Sequence, residues 1–301
     1  MRVAFARSPP RLRRIAFLGP YAEPLLWIEP LEERGWVEGR NLVVERRVTN
    51  GIEGLAGAAR AIAAAEFDVI VTDGTDAARA ANEATARIPI VMAAVGDPVG
   101  AGLVESLARP GGNLTGYSIQ ATETTVKRAQ LVRELLPSAQ KVMVVMDASN
   151  AIYPALRQKA EEAYRSLGIE SRFVSPATPA QFADMIGGSA WRFDAIEIDP
   201  DAGGDDATVV MRAVLSRRVP AIVASRPLLD RGAVVYFDVD RRDQGKRVAA
   251  IIDKVLRGAP PSAIPVEQPA SFVVAINMRS AVALGVNVPQ SLLLRADEVL
   301  R

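Results

Sequence analysis

Short apolar runs alternate with segments whose apolar positions recur every three to four residues, and the alternation persists through most of the chain. The runs Arg14–Leu18, Leu42–Arg46, Asp68–Thr72, Ile90–Ala94 and Leu114–Tyr117 predict strands. A second series follows at Lys141–Met146, Glu170–Val174, Ala195–Ile198, Ala221–Ala224 and Ala233–Phe237. Between them, Leu55, Ala59, Ile62 and Ala63 share one helical face, as do Val126, Ala129, Val132 and Leu136. Leu156, Ala160, Ala163 and Leu167 repeat the spacing, and so do Val248, Ile251, Ile252 and Val255. Strands joined by helices imply right-handed crossovers and parallel sheets covered on both faces. The turn-rich Arg109-Pro110-Gly111-Gly112-Asn113 breaks the series, which favours two sheets of about five strands over one large one. A late helix, Arg241 to Arg257, is stopped by Gly258, Pro260 and Pro261 and followed by another strand, Phe272–Ile276. That order predicts a chain passing more than once between two domains.

Composition narrows the function. Over 301 residues, 36 Lys+Arg nearly cancel 35 Asp+Glu, and a net charge of +1 leaves no basic footprint for nucleic acid. The chain has no cysteine, which excludes disulfides and thiolate metal sites. It has no histidine either, which removes imidazole bases, Ser-His-Asp triads and most zinc sites. No phosphate loop and no Gly-x-Gly-x-x-Gly after the first strand is present. The expectation is therefore a binding protein, not an enzyme, with no cofactor and no metal. No apolar run approaches the ~20 residues needed to span a bilayer, so no direct membrane insertion is expected. Ile15 to Leu18 is too short for the ~7–15-residue core of a signal peptide.

Several stretches, taken in order, resemble the substrate-binding proteins of ABC importers, in the group of tryptophan/tyrosine-type binding proteins. They are Gly35-Trp36-Val37-Glu38-Gly39-Arg40-Asn41, Ile88-Pro89-Ile90-Val91, Gly96-Asp97-Pro98-Val99 and Arg109 to Gly116. Toward the end come Glu267-Gln268-Pro269, Phe272, Ile276-Asn277, Ala283-Leu284-Gly285, Pro289 and Leu292 to Val299. The resemblance implies a type I periplasmic-binding architecture, with two Rossmann-like lobes joined by three crossovers and a ligand cleft between them that closes by a hinge. By that analogy one lobe is 12–116 with 238–262, and the other is 117–237 with 263–301. It also implies an ABC permease as partner if the chain is exported. The protein is expected to be a monomer, periplasmic or extracellular if an export signal has been removed or the start is mis-set, and cytoplasmic as the sequence stands. Two departures fall in loops that would meet a ligand. Asp147-Ala148-Ser149-Asn150 stands where the family often has Asn-Pro-x-Asn-Pro, and Asp73 where it usually has a small or neutral residue.

Ligands of open parallel sheets bind beyond the carboxyl ends of the strands. That rule selects Tyr21, Thr72, Asp73, Thr75, Asp97, Ser118, Asp147, Tyr153, Asp199 and Arg226. Thr75 is placed to cap a helix whose N–H groups favour a carboxylate, or to serve as a plain cap with no ligand. Asp73 would repel that anion unless it points away or pairs with an ammonium. Asp199, at a strand end, could hold an ammonium, while Asp205 and Asp206 suit the next helix N-terminus. Tyr21 and Tyr153 offer flat apolar area, whereas Tyr117 and Tyr236 suit a hinge or lobe interface equally well. Arg226 could grip a carboxylate with two hydrogen bonds or form a surface ion pair. The ligand expected is a small amino-acid-like or aromatic carboxylate compound. The competing readings are a cytoplasmic metabolite sensor on the same two-lobe module and a histidine-free α/β enzyme.

Overall fold

The computed structural model describes residues 12–20, 25–49, 51–200, 202 and 206–301. These fall into two compact units: unit 1 runs to Ile119 and resumes over Arg241–Pro269, while unit 2 holds Gln120–Asp240 and Ala270–Arg301. The chain therefore crosses between them three times.

The first stretch of unit 1 contains β1 (Arg13–Gly19), α1 (Ile28–Glu32), β2 (Leu42–Val48), α2 (Leu55–Ala63), β3 (Val69–Asp73), α3 (Thr75–Ala84), β4 (Ile90–Val95) and β5 (Leu114–Ser118). Unit 2 follows with α4 (Ala121–Leu135), β6 (Lys141–Val145), α5 (Tyr153–Ser166), β7 (Glu170–Val174) and α6 (Pro179–Gly187). It continues through β8 (Ala195–Ile198), α7 (Ala207–Ser216), β9 (Ala221–Val223), α8 (Arg226–Asp230) and β10 (Val235–Val239). The long α9 (Arg241–Leu256) returns to unit 1. The last stretch gives unit 2 β11 (Phe272–Asn277), α10 (Met278–Leu284), α11 (Gln290–Arg295) and β12 (Glu298–Leu300).

In unit 1 the strands lie in the order β2-β1-β3-β4-β5, all parallel. Side-chain alternation sends Ile15, Phe17, Val69, Val71 and Val91 to one face, against Trp27, Leu31 and the α9 stripe Val248, Ile251, Ile252 and Val255. Ala16, Leu18, Ile70, Ile90 and Met92 go to the other face, against α2 and α3. Ala77, Ala78 and Ala81 are fully buried there, and their small size lets α3 lie close to the sheet. Unit 2 has the order β12-β11-β10-β9-β8-β6-β7. One face packs Met143, Val145, Ile196, Ile198 and Val223 against Phe182, Ile186, Val210, Met211 and Val214.

The two parallel sheets expected from the sequence are present, with one local exception. Strand β11 runs antiparallel to β10, pairing Val239 with Phe272 and Val235 with Ile276. Connectivity is the reason: the chain leaves unit 2 at the carboxyl end of β10 and re-enters at Ala270 beside that same end, so the returning strand has to run back along it. The short β12, parallel to β11, is not apparent from the sequence, because three residues carry no usable period.

Gly245 in α9 presses on the chain just before α1. A Cβ at this position would lie 2.4 Å from the Leu26 carbonyl oxygen. Alanine is favoured over glycine in a helix interior by ~1 kcal/mol, but overpacking typically costs ~1–3 kcal/mol. The obstacle here is backbone, so the steric cost is expected to win. Urea denaturation of Gly245→Ala should show a loss of ~1–2 kcal/mol, and a gain in stability would mean that the α1–α9 contact gives way freely.

Candidate functional site

The carboxyl edge of the unit 1 sheet gathers Thr72, Asp73, Thr75, Asp97 and Ser118. Strand β3 ends at Asp73, and Gly74 turns the chain at φ 84°, a left-handed value that glycine adopts without strain. Gly74 is thus the N-cap, and Thr75 is the first helical residue. The expectation that Thr75 caps α3 is corrected: the cap position demands the positive φ. The Thr75 hydroxyl instead accepts from the Gly96 N–H at 3.4 Å. Ser118 closes the same knot, its hydroxyl donating to the Gly96 carbonyl at 3.4 Å and its N–H to the Glu267 carbonyl at 2.9 Å. Gly74 N–H donates to Ala94 O at 3.1 Å, and Ile119 N–H to Val95 O at 2.8 Å. Asp97 accepts from the Gly100 N–H at 2.9 Å, which ties part of its carboxylate to its own turn. Thr72 is fully buried, and its hydroxyl oxygen finds no hydrogen-bond partner.

In unit 2, Asp147, Tyr153, Asp199 and Arg226 sit just beyond the carboxyl ends of β6, β8 and β9. Asp147 accepts from the Ser149 N–H at 2.9 Å and from the Ser149 hydroxyl at 2.7 Å, shaping its loop. Tyr153 opens α5 half-buried, its hydroxyl accepting from Arg157 Nη1 at 3.5 Å. Arg226 does make the two-pronged grip on a carboxylate, but that of Glu298 within its own unit, at 2.5 and 2.8 Å, and it also bonds Asp230 at 3.0 Å. The Glu298 bond holds the guanidinium above its usual range and the carboxyl below its own. The surface ion pair is the arrangement observed. Asp206 accepts from the Thr208 and Val209 N–H groups and caps α7. Tyr117 and Tyr236 are core residues, 0% and 7% exposed. Tyr21, Asp201 and Asp205 lie outside the described residues.

Asp199 belongs to a buried polar cluster. Arg128 of α4, 3% exposed, donates from Nε to Glu197 at 2.8 Å and from Nη2 to Asp199 and to the Thr125 hydroxyl. Tyr164 of α5 donates its hydroxyl to the other Glu197 oxygen. Burial pushes the Asp199 carboxyl up to about 6; Arg128 works against the rise, and Glu197 and Asp238 add to it. Tyr164 is held well above 10 by burial and by Glu197. Among Arg128, Glu197 and Asp199, two acids share one cation.

The sequence reading missed Arg128, Glu197 and Tyr164. It places Val126 and Leu136 on the buried face of α4, yet both are only half-buried. The face that goes in carries Ala121, Thr125, Arg128, Val132 and Leu135, a rotation of roughly one residue that delivers the guanidinium to β8. The signal is present: Glu197 interrupts the apolar run of a doubly buried strand, and Arg128 shares a helical stripe with Val132 and Leu135.

An open depression of about 730 Å³ in unit 2 is lined by Pro179, Asp206, Ala207, Thr208, Pro227 and Arg231. Its two charged groups serve local structure, Asp206 as a cap and Arg231 as donor to the Thr208 hydroxyl and the Pro227 carbonyl.

Residues 27–300 match the family described as ABC transporter substrate binding protein. The chain belongs to this family. The ABC substrate-binding proteins are non-enzymatic, and the present one shares 26% identity over 242 residues with a tyrosine-binding protein of Clostridioides difficile (strain R20291), covering 80% of this chain and 70% of that one. Among solved structures, a conserved domain protein from Vibrio cholerae superposes with a TM-score of 0.86 at 25% identity, over 96% of this chain and 100% of that one. The ABC domain in complex with L-Trp from Streptococcus pneumonia gives 0.84 at 24% identity, over 96% and 99%, a likeness of fold. The architecture of this binding protein is that of type I periplasmic-binding proteins. No helix among the described residues is long and apolar enough to cross a membrane.

Removing the guanidinium would leave buried carboxylates unpaired. Arg128→Met is therefore expected to lose ~3–5 kcal/mol of unfolding free energy, measured by urea denaturation at pH 7. Asp199 sets a pH dependence of defined sign. The folded protein keeps a proton on this carboxyl up to about pH 6, whereas an unfolded aspartate releases it near 4. Its contribution to stability thus grows as pH falls from about 6 toward 4. Thermal midpoints of the unsubstituted protein should rise relative to Asp199→Asn across that window, and parallel curves would refute the raised pKa.

Proposed function

We propose that this ABC substrate-binding protein takes a small α-amino acid with an aromatic or similarly apolar side chain, and delivers it to a permease from the outer side of the membrane. The observation that carries the reading is the acid excess around Asp199. Buried carboxylates favour a cation, and Asp199 is the member of the cluster that stands at the strand end, 6% exposed. An α-ammonium group would add a second positive partner and lower the carboxyl's pKa. Unit 1, taken by itself, carries a feature that suits a carboxylate. The first turn of α3 directs N–H groups beyond the carboxyl edge of β3, a setting that suits a carboxylate. Tyr153, half-buried at the start of α5, supplies flat apolar area for the side chain. The tyrosine-binding relative supports an aromatic amino acid as the first candidate. The family assignment supports a permease partner and a periplasmic or extracellular site of action.

Titration calorimetry with matched compounds separates the parts of this reading. L-tyrosine and L-tryptophan are compared with their deaminated acids and their carboxamides. Loss of one partner from a desolvated charged hydrogen bond costs ~2–5 kcal/mol, so each altered compound should bind well over tenfold more weakly. Deaminated acids binding as tightly as the amino acids would rule out the ammonium assignment, and carboxamides binding as tightly would rule out the carboxylate one. Asp199→Asn should weaken the amino acids by a similar factor while keeping the fold. Affinity is expected to be nearly flat from pH 7 to 8, since no histidine titrates there. It should fall below about pH 6, where Asp199 takes up a proton that an ammonium would have to displace.

A further inference from the structure

The upper end of β4 is irregular on both sides. Against β3 the pairing runs Thr72 to Met92 and then Asp73 to Ala94, and against β5 it jumps from Met92–Gly116 to Val95–Ser118. Ala93 is skipped in both ladders, as in a β-bulge, a device that bends a strand and re-aims the residues beyond the bend. Its carbonyl is buried and cannot be left without a donor cheaply. The donor is Gln244 of α9, whose Nε2 lies 2.8 Å from Ala93 O.

Gln244 is an unusual choice for that place. It occupies the apolar stripe of α9 with Val248, Ile251, Ile252 and Val255 and is 7% exposed. Its side-chain oxygen is buried with no hydrogen-bond partner. A buried acceptor left unsatisfied costs about 1–3 kcal/mol, so a leucine or methionine would pack there at lower cost. What the glutamine provides is the bond to the bulge. The segment beyond the bulge holds the site together: Ala94 O receives the Gly74 N–H, Val95 O the Ile119 N–H, and Gly96 N–H reaches the Thr75 hydroxyl.

We propose that Gln244 is a positioning residue for ligand binding, holding the β4 bulge so that the Ala94–Asp97 segment and the start of α3 keep their mutual geometry. Gln244 is the fourth residue after the chain re-enters unit 1 at Arg241. The Gln244–Ala93 bond thus joins the first turn of α9, just past that crossing, to the β4 bulge. The consequence for binding rests on the amino-acid reading above; the clamp itself is a property of the unliganded protein.

Two variants test it. Gln244→Met keeps the length and removes the donor. Gln244→Glu carries a single O–H that can replace the amide donor when neutral and none when ionised. In the unliganded protein, amide exchange followed by NMR should show protection factors at Gly74, Gly96 and Ile119 falling at least tenfold in Gln244→Met, with core amides such as Val71 and Ile251 unchanged. Affinity for L-tyrosine or L-tryptophan should fall at least tenfold while the thermal midpoint stays within a few degrees. Compared with the unsubstituted protein at the same pH, Gln244→Glu should match it at low pH and lose protection and affinity at high pH at least as far as Gln244→Met. Unchanged protection at Gly74 and Gly96 would overturn the clamp, as would a uniform loss of protection with a lowered midpoint, which marks a packing role. Local loss of protection with unaltered affinity would overturn the positioning role. If the unsubstituted protein binds neither amino acid while the exchange pattern appears as expected, the ligand reading fails and the clamp stands.

Discussion

A guanidinium buried against two carboxylates ties three elements of unit 2 into one arrangement. Arg128 comes from α4, Glu197 and Asp199 from β8 and its carboxyl end, and Tyr164 from α5 completes the hydrogen bonding. Each charge would be prohibitively costly alone in this interior, so the register of helix against sheet is fixed to within one side chain. Packing alone tolerates a helix that rolls by a few tens of degrees; this cluster does not.

The two units solve the same problem with different means. Unit 1 shapes the ends of its strands with backbone devices: the left-handed Gly74, the bulge at Ala93 and a ring of main-chain hydrogen bonds. Unit 2 uses charge. Its loops are drawn in by side chains, as in the Asp147–Ser149 turn, the Asp206 cap and the Arg226–Glu298 pair. An edge held by main-chain bonds is fixed whatever the pH, while one held by ion pairs responds to pH and to charged ligands.

Much of the fold can be read directly from the sequence. Valine- and isoleucine-rich runs such as Val69-Ile70-Val71 and Ala195-Ile196 are buried on both faces, and the expected strands Glu170–Val174 and Ala195–Ile198 match β7 and β8 end to end. Candidate ligand residues are less legible. Strand ends locate loops, but not which hydroxyl bonds to which neighbour, so Thr75 reads as a cap although Gly74 takes that place. Arg226 meets its carboxylate 72 residues away, a partner no local pattern reveals. Arg128 and Gln244 are polar residues on largely apolar stripes, and such interruptions carry more information than the loops do. Each marks a position where burial cost is accepted for a particular bond.

The interleaving of the two units bears on how the chain is made. One face of the unit 1 sheet, with Ile15, Phe17, Val69 and Val71, is covered by α9, whose apolar stripe lies between Val248 and Val255. During synthesis that face stays open after β4 has emerged, through all of the first stretch of unit 2, until the stripe leaves the ribosome. At ~5–20 residues per second the interval is roughly 10–30 s. For that time the nascent chain presents a ready apolar surface to any factor that binds unfolded polypeptide, and unit 1 cannot complete its core.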